Sequence, residues 1–132
     1  MLSSSWSLSR IVTIFVGLAF ILISIQVVLF HYRQNFRSPV MWGPVIEPPI
    51  AGIFAIIVGI FNLSSMKTLL AILYAITALV GIIGFYFHFT GVGDRVDGYK
   101  LQNFLVGPPI ILPPMFTALS ILGLMALYWG NK

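Results

Sequence analysis

Ile11 to Phe30 is a run of twenty residues without a charge, and no other feature limits the possible folds of this chain as strongly. As a helix the run is about 30 Å long, the thickness of a bilayer's hydrocarbon core. A helix at the surface of a soluble domain keeps one polar face toward water; this run has no such face. Charged residues make up only 8% of the whole chain, against roughly 25% in soluble domains, so the remainder offers too little polar surface to face water. Lipid is the expected solvent. The run also exceeds a secretory signal core of about 7–15 residues, and no small-residue cleavage site follows it. It reads as a retained span.

Three more apolar segments follow, over 40–63, 68–87 and 104–129. The expected architecture is an all-α integral membrane protein, multi-pass, forming one bundle over 1–132 with no extramembrane domain. Four crossings would place both termini on the same side. Ser64, Ser65, Met66 and Lys67 make the turn between the second and third segments. On the opposite face lie two loops, from His31 to Ser38 and from His88 to Asn103, the second holding Asp94, Arg95, Asp97 and Lys100. Orientation is left undecided. Arg10, Lys67 and Lys132 on one side face Arg33, Arg37, Arg95 and Lys100 on the other, too even a division for the positive-inside bias.

Proline interrupts the second and fourth segments. Pro44, Pro48 and Pro49 occupy the first third of one; Pro109, Pro113 and Pro114 occupy the matching part of the other. A proline inside a helix offers no N–H and clashes with the carbonyl four residues back. Broken helix starts are therefore expected at both places, with the carbonyls of Pro44, Val45, Pro109 and Ile110 released. Irregular backbone survives at membrane depth only against protein or a wet cavity.

The two halves answer each other in register. Arg10 to His31 and Lys67 to His88 are both 21 positions, and Pro49 to Lys67 and Pro114 to Lys132 are both 18. Only the connecting loops differ, with 13 positions from His31 to Pro44 and 21 from His88 to Pro109. The pattern predicts two tandem helical hairpins, 10–66 and 67–132, related by a pseudo-two-fold axis along the membrane normal. Small residues mark helix contacts in lipid, which singles out Ala51, Ala55 and Gly59 on the second segment and Ala71, Ala75 and Ala78 on the third.

The same register pairs the only two histidines. His31 stands between Phe30 and Tyr32, and His88 between Phe87 and Phe89. Facing each other at one depth, they suit the axial positions of a b-type haem, chlorophyll-type pigments, or half of a metal site. The plainer reading makes both of them interfacial side chains with one apolar and one wet edge. Glu47 is the one acid expected at membrane depth, where ionisable groups are costly and face a bundle interior or cavity. It would complete a two-histidine, one-carboxylate site, relay protons, or couple transport. The plainer reading pairs it with Arg33 or Arg37 at the headgroups. Its partner position in the repeat is Leu112.

Other chemistry is excluded or unsupported. Cysteine is absent, which removes disulfides and thiolate metal sites. The seven Lys and Arg are scattered, so no nucleic-acid patch exists. The segment from Gly91 to Gly98 supplies too few oxygen ligands for a calcium loop and lacks the βαβ context of a nucleotide loop. No catalytic constellation is legible. The leading expectation is a small non-catalytic membrane subunit of a larger complex, holding or bordering a tetrapyrrole near His31 and His88. The rivals are a bis-histidine haem or quinone anchor that moves electrons, and a small homo-oligomeric transporter using Glu47.

Overall fold

A computed structural model describes residues 5–129, and these form helices, turns and loops without a strand. The helix α1 covers Leu8–Arg33, α2 Gly43–Phe61, α3 Lys67–Gly93, α4 Leu101–Val106 and α5 Leu112–Tyr128. Short 3₁₀ turns at Pro39–Trp42 and Ser64–Met66 lead into α2 and α3. Three stretches are long and apolar enough to cross a membrane: Leu8–Arg33, Pro39–Phe61 and Ser64–Gly93. The fourth apolar helix, α5, has 17 residues, about 26 Å.

Local chemistry sets most of these limits. Ser7 caps α1, its side chain accepting from the Arg10 N–H, which satisfies one of the first-turn donors a helix leaves free. The helix ends where Asn35 and Phe36 turn to positive φ. Asn62 closes α2 in the left-handed conformation at φ 56°, which asparagine tolerates better than branched residues.

Three expectations need correction. First, α2 is not broken. Pro44 lies in its first turn, where an N–H has no partner to lose, and the helix continues through Pro48 and Pro49 to Phe61. Second, α3 does not stop at Phe87 but runs to Gly93, so His88 lies within a helix. No proline interrupts 87–93, and Thr90 Oγ bonds back to the Tyr86 carbonyl at 2.8 Å. Third, the break expected in the fourth segment divides it fully. Gly107 is extended, at φ −84° and ψ −165°, as a residue before proline tends to be, and helix resumes only at Leu112.

The helices form a ring in which α1 packs chiefly on α2 and α3 on α5, closed by α1 against α5 and α2 against α3. Phe20 is at its centre, edge-on to Tyr74 at 6.0 Å and to Phe116 at 5.8 Å between ring centres. Backbones approach closely at Gly17 and Gly81, where an added Cβ would stand 2.6 Å from the carbonyl oxygens of Gly52 and Pro113 respectively. Ala51, Ala55 and Gly59 are buried as expected. Of the α3 alanines, Ala71 packs against the core and Ala78 is half-buried, but Ala75 is exposed, and Leu70, Tyr74, Thr77 and Gly81 are the residues fully turned inward. Lys132, which the repeat matches to Lys67, lies outside the described residues.

Candidate functional site

The spacing of the sequence predicts that the histidines meet, and the fold brings them together. His31 and His88 face each other with ring centres 6.4 Å apart and planes at 72°. Both line a small cavity with Val27, Phe30, Pro44 and Pro113. Its volume is about 30 Å³, room for about one water molecule. Ligand pockets occupy roughly 300–1,000 Å³, so a tetrapyrrole does not fit between the rings as the helices stand.

The two imidazoles are held differently. Nδ1 of His88 is 2.6 Å from the Pro109 carbonyl oxygen, a contact that requires Nδ1 to carry the hydrogen and leaves the Nε2 lone pair free. That carbonyl lies in the non-helical stretch before α5, where no helical N–H competes for it. His31 is only 7% exposed. Its ring meets the Met41 backbone, yet Nδ1 has no hydrogen-bond partner. Phe36 lies edge-on to His31 at 6.3 Å and stacks on Trp42 at 4.3 Å, which roofs the histidine with aromatic carbon.

Glu47 does not reach the histidines' cavity, whose lining omits it. No triad of His, Asp and Glu able to hold a metal exists among the described residues, so the two-histidine, one-carboxylate arrangement is absent there. Nor does Glu47 pair with Arg33 or Arg37; the only ion pair among the described residues is Lys100 with Asp97. Its carboxyl oxygens instead lie 2.8 and 2.9 Å from Thr77 Oγ. Thr77 comes ten residues after Lys67 in α3, about 15 Å along the helix. The Thr77 hydroxyl has one hydrogen and is also 2.9 Å from the Leu73 carbonyl, so the carboxyl receives at most one donor from it.

Two further buried hydroxyls, Ser24 on α1 and Tyr74 on α3, have no partner. The expected surface anchor Arg10 is buried, at 6% exposure. Its guanidinium donates to the carbonyls of Gly59 at 2.9 Å and Ile60 at 2.8 Å, capping the end of α2. Trp6 covers it, the ring centre 3.8 Å from Cζ. The sequence gives no sign of this role. Every residue carries a carbonyl, and nothing in local composition says which two will lack a partner.

The expected loop after His88 is ordered by Asn103, whose side-chain amide donates to the carbonyls of Val96 and Gly98 at 2.8 and 2.6 Å. Of the prolines, Pro48 and Pro113 are buried, whereas Pro44, Pro49, Pro109 and Pro114 are half-buried. No protein-family model, curated protein or solved structure matches the chain.

Proposed function

We propose that the chain is a small integral membrane subunit of a larger membrane assembly, without catalytic activity of its own. In this reading α1, α2, α3 and the α4–α5 segment make four crossings as two tandem hairpins, with both termini on one side. Packing of α1 on α2 and of α3 on α5 supports the hairpin reading, as does the meeting of His31 with His88 at equivalent positions. Long apolar side chains such as Leu22, Ile53 and Leu79 face outward, as a lipid-facing surface requires.

The observation that carries the subunit reading is Glu47. In that bundle the carboxyl stands at membrane depth, and it is partly exposed with one hydrogen-bonding residue and no cation beside it among the described residues. Hydrocarbon supplies neither, and a carboxylate left in it is costly. A second protein surface over the α2–α3 face would supply what lipid lacks. Ile46, Ile50 and Ile76 flank that face and are exposed.

Photo-crosslinking in native membranes tests this. A benzophenone side chain at Ile50 or Ile76 is expected to capture another membrane protein, and one at Leu22 on α1 to capture mainly lipid. Purification as a lone monomer, with lipid adducts alone at all three positions, would overturn the reading. The buried, unpartnered Ser24 and Tyr74 hydroxyls favour a second reading, a homo-oligomeric transporter coupled through Glu47. It requires flux in proteoliposomes that Glu47→Gln abolishes.

A further inference from the structure

We propose that His31 and His88 form a two-coordinate site for a single copper(I) ion at the histidine end of the bundle. Two observations, one on each histidine, converge with the spacing of the rings. Metal-ligating histidines nearly always donate their second ring N–H to a carbonyl or carboxylate, which fixes the tautomer and aims the other lone pair. His88 is already in that state, with Nδ1 donating to the Pro109 carbonyl. His31, more than nine-tenths buried, lines the same cavity with Nδ1 unpartnered, and a buried nitrogen left without a partner is costly.

With one nitrogen of each ring turned toward the other, the spacing fits one atom between the rings. Two metal–nitrogen bonds of about 2.0 Å end to end, with each ring centre about 1.2 Å behind its nitrogen, separate the centres by roughly 6.4 Å. The observed separation is 6.4 Å. The cavity of about 30 Å³ has matching capacity.

The class of ion follows from what the cavity withholds. Imidazole binds zinc, copper, iron and nickel. Zinc in a closed protein site takes four ligands, and no third His, Asp or Glu joins these two among the described residues. Val27, Phe30, Val80, Leu112 and Phe116 supply only carbon. A doubly charged ion would be left under-coordinated in an apolar wall. Copper(I), singly charged and content with two collinear nitrogens, fits.

The test uses the full chain in mild detergent, without oxygen and with ascorbate present. Copper(I) is presented as its bicinchoninate complex, and retained metal is measured after desalting. Wild type is expected to keep about one copper per chain. His31→Ala and His88→Ala should each keep at least about tenfold less, since one imidazole alone does not hold the ion. X-ray absorption of the wild-type complex should show two nitrogen neighbours. No retained copper, undiminished copper in either variant, or a shell of three or more ligands would each overturn the proposal. The absorption spectrum needs no variant and decides by itself if a histidine variant fails to fold.

Discussion

Replacing Arg10 by alanine should be among the most damaging single changes in this chain, for reasons that have nothing to do with surface anchoring. The side chain makes two close hydrogen bonds to the last carbonyls of α2 and a longer one, 3.2 Å, to Ser5. Hydrogen bonds to charged groups contribute about 1.5–3 kcal/mol each, so the two to α2 amount to roughly 3–6 kcal/mol. Stacking on Trp6, which is 60% exposed, adds about 0.5–1 kcal/mol at such a site. Against this stands the cost of burying the cation, which deletion removes. A net loss of about 2–4 kcal/mol is expected, or roughly 30- to 800-fold in the folding equilibrium. Arg10→Lys keeps the charge but cannot span both carbonyls with a rigid fork, and should lose about half as much. Unfolding in rising mole fractions of dodecyl sulfate, followed by far-ultraviolet circular dichroism, reads both variants. An Arg10→Ala protein within about 0.5 kcal/mol of wild type, the range of ordinary surface changes, would refute the capping argument.

Gly123→Ala places a methyl 2.5 Å from the Tyr74 ring and should cost about 1–3 kcal/mol by overpacking. Gly43→Ala, with nothing within 4 Å, should be neutral or mildly stabilising in the same titration. Asn103→Ala removes two hydrogen bonds that tie down residues 96–98; at about 0.5–1.5 kcal/mol each, limited proteolysis between 94 and 100 should accelerate at least fivefold or so. Thr77→Val keeps the shape and deletes the only side-chain donor to Glu47 among the described residues. Capture of a partner from Ile50 should change in yield, while the far-ultraviolet spectrum stays that of wild type.

The apolar runs made the long helices legible, because a chain with so few charges has few other ways to satisfy its backbone. The meeting of the histidines was legible too, since equal spacing from Arg10 and Lys67 sets equal depth. The fate of the prolines was harder to read. Pro48–Pro49 and Pro113–Pro114 look equivalent, yet only the second pair follows a break. The difference lies upstream: Gly43 adopts helical angles before Pro44, whereas Gly107 before Pro108 is extended, the conformation a following proline favours. Glu47 meeting Thr77, and Arg10 meeting the end of α2, were not legible. Both depend on how far one helix is rotated against another, and the weak amphipathicity of a lipid-facing helix does not record that angle.

The shortness of α5 has a consequence for the surrounding lipid. With 26 and 27 residues, α1 and α3 are about 39 and 40 Å long, while the 17 residues of α5 give about 26 Å. Around the ring these long helices alternate with α5 and with α2, whose 19 residues give about 28 Å, so a bilayer would meet a lower apolar height at those two flanks. Mismatch is relieved by local thinning, tilt or clustering, at fractions of a kcal/mol per Å. The α5 flank would therefore dimple one leaflet and gather short-chain lipids. In thick, sterol-rich bilayers the protein would be drawn sideways toward other molecules that thin the membrane in the same way.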